Sequence, residues 1–197
     1  MDRRRALKGL GLSLGYIVAT PTIIGMLESC KTDENQWEPI FLTISEGIVI
    51  KNLIDLILPK TEAIPGALEV NVPEFLDLYA SKIFGDDQKK KFKNGLSAIF
   101  VELNVSHNKP NKVKAEKYDG VLSKYLRANK LELEEFNKNE QNALVLNTLI
   151  DLRSLAIWAY KTSEVVGKNI LAYDPIPGVQ KGCISLEKAT GGKAWSL

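Results

Sequence analysis

Residues 43–59, TISEGIVIKNLIDLILP, decide the fold class. Thr43-Ile44-Ser45-Glu46 has the form of a capping box, in which the Thr43 hydroxyl and the Glu46 carboxylate each take a free backbone N–H at a helix start. Ile48, Val49, Leu53, Ile54, Leu56 and Ile57 follow at helical spacing and leave the helix apolar nearly all round. Pro59 then ends it, because proline has neither the N–H nor the room to continue. A helix apolar on every side belongs in the middle of a bundle.

The same period recurs downstream. Asn71-Val72-Pro73-Glu74 starts a second helix, with proline in the first turn where its missing N–H costs nothing. Phe75, Leu76, Tyr79 and Ile83 are expected to line its inner face. Asp86 and Asp87 open a third helix, carrying Phe92, Leu96, Ile99, Phe100 and Leu103. Residues 104–111, with the single histidine His107, read as a loop. Tyr118, Val121, Leu122, Tyr125 and Leu126 form a fourth stripe, and a long last helix spans roughly Glu140 to Lys161. On that helix Asn147, Asp151, Ser154, Trp158 and Lys161 share one stripe. Trp158 is either a tryptophan at the edge of the core or an aromatic anchor for a partner. No segment alternates as a strand. The expectation is an all-α fold, a bundle of about five helices over residues 39–168, with an irregular C-terminal tail at 169–197.

Composition limits the chemistry. The chain has 197 residues, 45% of them apolar, enough for one domain with a sizeable core. One histidine and two cysteines cannot build a His-rich zinc site, a CxxC pair or a c-type haem attachment. Net charge is +2, and residues 1–29 supply it, since four basic residues there face two acidic ones. The body is neutral, which argues against a nucleic-acid partner. Lys89-Lys90-Lys91 reads as a solvated helix face.

Residues 1–29 read as an address. Arg3, Arg4 and Lys8 stand before the apolar stretch Gly9–Leu27, in the layout of a twin-arginine export signal, with Ala6 where such signals often carry phenylalanine. Leu27-Glu28-Ser29-Cys30 resembles a bacterial lipobox, which would make Cys30 the lipidated first residue of the mature chain. The alternative is an uncleaved membrane anchor. Residues 30–38 form a polar linker. The protein is therefore expected to be exported to the periplasmic face of a bacterial membrane. With Cys30 lipidated, Cys183 is the only cysteine left, and burial as a small hydrophobe is the favoured expectation for it.

Beyond Lys168 periodicity is lost, yet Tyr173, Ile176, Val179, Ile184, Leu186 and Trp195 are too apolar for a free tail. The tail packs either on its own bundle or on a partner. An ordered series runs through this region: Tyr160-Lys161-Thr162-Ser163-Glu164, Gly167, Leu171-Ala172-Tyr173-Asp174-Pro175-Ile176-Pro177-Gly178, Gly182-Cys183 and Gly192 to Trp195. Together with Trp37, Phe41-Leu42, Leu58-Pro59, Gly66-Ala67 and Val72-Pro73-Glu74-Phe75, it resembles the gluconate 2-dehydrogenase subunit 3 family. These are small subunits of membrane-associated flavoprotein sugar and sugar-acid dehydrogenases. Ala159 and Lys161 depart from the family pattern.

The resemblance implies a role without chemistry of its own: no catalytic, cofactor or metal residue on this chain. FAD would sit on a GMC oxidoreductase-like large subunit, and a cytochrome c subunit would take the electrons in many such complexes. The small subunit would assist the large one's folding and export. Trp158, Tyr173, Pro175, Pro177, Gly178, Cys183 and Trp195 are the expected partner-binding residues, with Cys183 buried in that contact or disulfide-linked across it. The residues agree with this division. There is no GxGxxG turn for a dinucleotide and no cysteine cluster for iron–sulfur. A hydrolase built on Ser163 or Cys183 would have only His107 as base. Glu164 reads as a cap after Thr162-Ser163. A second functional class, a free-standing envelope lipoprotein that binds or scaffolds, shares the signal and the helical body.

Overall fold

A computed structural model describes residues 37–105, 113–176, 178 and 182–196. Arg3, Arg4, Lys8, Cys30, His107 and Pro177, named above, lie outside the described residues. The chain divides after Trp37 into two units, and the second, from Glu38 onward, holds every helix described below.

The fold is all-α. Its helices are α1 (Ile44–Ile57), α2 (Val72–Ile83), α3 (Asp86–Glu102), α4 (Ala115–Leu126), α5 (Lys130–Lys138), α6 (Glu140–Thr162) and the short α7 (Leu186–Thr190), with a π-helical turn at Val166–Ile170. No strand occurs among the described residues. The capping box of α1 is present: the Glu46 N–H donates to Thr43 Oγ1 at 3.2 Å and the Thr43 N–H to Glu46 Oε2 at 2.7 Å. The Glu46 carboxylate also pairs with Lys93 on α3, so one buried side chain caps a helix and ties two together.

The expected centre of the bundle is displaced. Helix α6, not α1, packs against α1, α2, α3, α4 and α5. It buries Val145, Leu146, Leu149, Leu152, Ala156 and Ala159. Its 23 residues are long and apolar enough to cross a membrane by length and composition alone, but here they form the core helix of the body. Where α3 crosses α6, Gly95 lies against Thr148: a Cβ on Gly95 would stand 1.9 Å from Thr148 Oγ1. Glycine is needed there for helix approach rather than for backbone freedom. Gly95→Ala should therefore destabilise the body by ~1–3 kcal/mol of overpacking, read as a lower denaturant midpoint.

The inner face of α2 also differs from expectation. Val72, Leu76 and Ala80 are buried together with Asp77, whereas Phe75 is 40% and Ile83 61% exposed. The buried acid explains the rotation. Asp77 turns a carboxylate inward to accept the backbone N–H groups of Ile40, Phe41 and Leu42 at 2.6, 3.0 and 2.8 Å. Helix α5, absent from the expected set, buries no residue, so it lacks the apolar stripe that marks the others. Its readable signal is the box formed by Asn129 and Glu132.

Three phenols are held above their ordinary pKa by burial: Tyr118, Tyr125 and Tyr160. A raised folded-state pKa means the native state holds the phenolic proton more tightly. The stability this gives is whole below the unfolded value of about 10 and is lost as pH rises from there through the folded values. Alkaline titration should thus lower the melting temperature above pH ~10. Tyr118 is fully buried and its hydroxyl has no hydrogen-bond partner among the described residues. Tyr118→Phe should cost nothing or raise stability by up to ~1 kcal/mol, and should blunt the alkaline loss.

Candidate partner-binding surface

The loop from α1 to α2 is folded tightly onto itself. The Ala67 N–H donates to the Leu58 carbonyl at 2.9 Å, and the Gly66 N–H to Glu69 Oε2 at 3.1 Å. A Cβ on Gly66 would lie 2.7 Å from the Lys60 backbone nitrogen, so the two chain passes approach this closely only with glycine there. The hydrogen bond from Lys60, then that from Gly66, holds the Glu69 carboxyl below its ordinary range. Tyr160, near the end of α6, donates its hydroxyl to the Pro65 carbonyl at 2.6 Å and fixes the loop to the core helix. Burial, and secondarily the charge on Glu69, raises this phenol's pKa.

Beside this loop, a groove of about 390 Å³ runs between α2 and the end of α6. Asn71, Val72, Glu74, Phe75 and Leu78 form one wall; Ala159, Thr162, Ser163 and Glu164 form the other. Asn71, the N-cap of α2, is left-handed at φ 56° and makes no side-chain cap bond. Asparagine is among the few non-glycine residues that tolerate this region. The hydroxyls on the far wall close the helix end. Thr162 donates to the Trp158 carbonyl at 2.9 Å and Ser163 to the Tyr160 carbonyl at 2.7 Å. Ser163 therefore serves helix termination, and no base pairs with it among the described residues. Glu164 does not cap: its carboxylate accepts from Lys168 Nζ at 2.7 Å, one helical turn on, which holds it below its ordinary range.

Trp158 adjoins the groove. Its ring centroid lies 5.6 Å from that of Phe75 and 5.3 Å from that of Tyr79. It is 38% exposed, and Phe75 and Leu78 beside the groove are similarly exposed. Trp158 is thus both at the edge of the core and available to a partner. The rest of its stripe is exposed at Asn147, Asp151 and Ser154, with Lys161 half-buried.

The tail leaves the body and returns to it. The Ala172 N–H donates to the Ala194 carbonyl and the Ser196 N–H to the Ala172 carbonyl, both at 2.8 Å, forming a parallel bridge between Ala172 and Trp195. Gly167 makes room for the returning end, since a Cβ there would lie 3.1 Å from Ser196 Oγ. Between these points Ser185 caps α7, and Gly191, at φ 62°, ends it. Only Thr190 among the described residues of this excursion is buried; Tyr173, Ile176, Ile184, Leu186 and Trp195 are all exposed, Ile176 at 83%. Pro175 and Gly178 are exposed as well. Cys183 is exposed, which corrects the expectation that it is buried within this chain. The tail carries too few inward-facing apolar residues to shield it.

The stretches that carry the resemblance are thus drawn together in three dimensions. Leu58 is bonded to Ala67, Pro65 to Tyr160, and Val72, Glu74 and Phe75 face Thr162, Ser163 and Glu164; Gly167, Ala172 and Trp195 close the tail. Phe75 as a surface residue and Asp77 as the anchor of the entering chain do not follow from apolar spacing, because both roles come from the rotation of α2. No group of three or more histidine, cysteine, aspartate or glutamate residues able to hold a metal forms among the described residues. No curated protein and no solved structure matches the chain. The family profile described as gluconate 2-dehydrogenase subunit 3 matches residues 45–178, from the first turn of α1 into the tail. That match covers more than half of the chain and includes both walls of the groove, so the chain belongs to the gluconate 2-dehydrogenase subunit 3 family.

Proposed function

We propose that this chain is the non-catalytic small subunit of a membrane-associated, periplasmic FAD-dependent sugar or sugar-acid dehydrogenase. It binds the flavoprotein large subunit, assists its folding and carries it through the twin-arginine route, and lipid on Cys30 holds the complex at the membrane. One observation carries the reading: the tail closes into an excursion whose large apolar side chains stay in water. Exposed apolar surface of this kind marks an interaction site rather than a free surface. Trp158 and Phe75 add aromatic anchors, the residue type that dominates binding energy at interfaces.

A pull-down from native membranes tests the proposal. A stoichiometric large subunit with the absorption bands of a bound flavin is expected, together with a small subunit that has lost residues 1–29 and gained acyl mass at Cys30. A colourless monomer would sink it. Replacing Arg3 and Arg4 with lysine should strand both proteins in the cytoplasm; a flavoprotein that still reaches the envelope would show that this chain does not carry it.

A further inference from the structure

The groove between α2 and the end of α6 is lined unevenly with hydrogen-bonding groups. Thr162 and Ser163 spend their single hydroxyl protons on the Trp158 and Tyr160 carbonyls, so each offers the groove only lone pairs. Glu74 and Glu164 add two carboxylates, which accept and do not donate. Asn71 is the one lining side chain with protons left to give. We infer that the groove takes the side chain of an arginine from a bound polypeptide. That this polypeptide is the flavoprotein large subunit rests on the function proposed above.

The Glu74 carboxylate is only half used. Lys51 on α1 holds its Oε1 at 2.9 Å, while Oε2 is shut from solvent and has no hydrogen-bond partner among the described residues. A carboxylate oxygen kept from water without a donor is costly, and a partner that brings a donor removes that cost. The side chain as a whole is 29% exposed, and the last torsion of a glutamate is broad, so either oxygen can turn toward an incoming group. On the far wall Lys168 takes one oxygen of Glu164. Neither lysine lines the groove. The end of α6 adds the negative end of its dipole, and the positive end of α2 is offset by Glu74 in its own first turn.

Acceptors on both walls select arginine over the other charged residues. An acidic side chain would meet like charge. A guanidinium carries five N–H groups in one plane and no acceptor, so it bridges the two walls; an ammonium is a compact, strongly hydrated charge without that reach. The methylene stem of an arginine lies along apolar surface, which Phe75 and Leu78 supply here at 40% and 44% exposure. The volume of about 390 Å³ is ample for one side chain.

Titrating the full chain with an acetylated, amidated pentapeptide that carries arginine between two leucines, followed by amide NMR, tests the groove without any flavoprotein. Saturable shifts are expected at Glu74, Phe75, Leu78 and Ser163. The lysine counterpart should bind about tenfold more weakly, and the citrulline counterpart, which keeps the shape and loses the charge, should not saturate. Glu74→Gln should weaken the arginine peptide about tenfold. Leu78→Lys puts a cation into the groove from an exposed position; it should abolish the shifts with the melting temperature held, and it carries the test if Glu74→Gln unfolds. Absent or unsaturable shifts, shifts centred elsewhere, a lysine peptide that binds as tightly, or a folded Glu74→Gln variant that binds as well as the parent would overturn the inference. Peptide binding without a flavoprotein in the pull-down would sink the proposed function and leave the groove's chemistry standing; a flavoprotein retained by a chain that ignores the peptide would sink the arginine site alone.

Discussion

Asp77→Ala is expected to destabilise the body by ~3–5 kcal/mol, more than Gly95→Ala at the crossing of α3 and α6. Asp77 is 1% exposed, and its carboxylate is the acceptor for three consecutive backbone N–H groups, those of Ile40, Phe41 and Leu42. Hydrogen bonds to a charged acceptor contribute about 1.5–3 kcal/mol each, and removing the acceptor leaves buried donors unmet. The segment it holds is fastened a second time. Lys93, paired with Glu46, lies 4.7 Å above the Phe41 ring, and Phe41 packs 6.3 Å from Phe92. Loss of Asp77 should therefore release residues 40–42 from α2 while α1 remains capped. Asp77→Asn should fall between parent and alanine, because its amide NH2 would confront a backbone donor. Denaturant unfolding with an unchanged slope measures the loss. An alanine variant as stable as the parent would show that the three hydrogen bonds contribute little net stability.

Deleting residues 172–197 is expected to leave a folded helical body that retains almost none of the flavoprotein, a loss of about a hundredfold or more in affinity. The cut follows the π-helical turn, so Val166 and Gly167 keep their places against α6. Little core is lost with the tail, since Thr190 is the only buried residue among its described positions. What is lost is the exposed set of Tyr173, Ile176, Ile184, Leu186 and Trp195. Circular dichroism and a melting curve test the body, and a pull-down tests the partner. If the truncated chain unfolds by itself, the tail belongs to the body's own core; if it stays folded and still retains the flavoprotein, the contact lies at Trp158 and the α2–α6 groove instead.

The sequence by itself determined the fold class and most of the elements. Helical period, Thr43 with Glu46, Pro59, Pro73 and the acids at 86 and 87 are local signals, acting within a turn or two of where they stand. Family membership was legible as well, because its motifs are short runs whose order survives in one dimension. The tail's apolar content pointed to a surface that covers it, the bundle's own or a partner's, without deciding between the two. Only the tertiary structure decided which helix is central, since a nearly all-round apolar α1 and a polar-striped α6 differ in how many neighbours they meet. It also decided the rotation of α2. Apolar spacing alone put Phe75 and Ile83 inside, but three backbone donors 35–37 residues upstream, at Ile40 to Leu42, draw Asp77 inward and turn both residues to the surface. The same holds for Gly95 against Thr148 and for Ala172 against Trp195. Each is a contact between residues far apart in the chain, whose energy depends on where another element lies, and no local pattern carries that information.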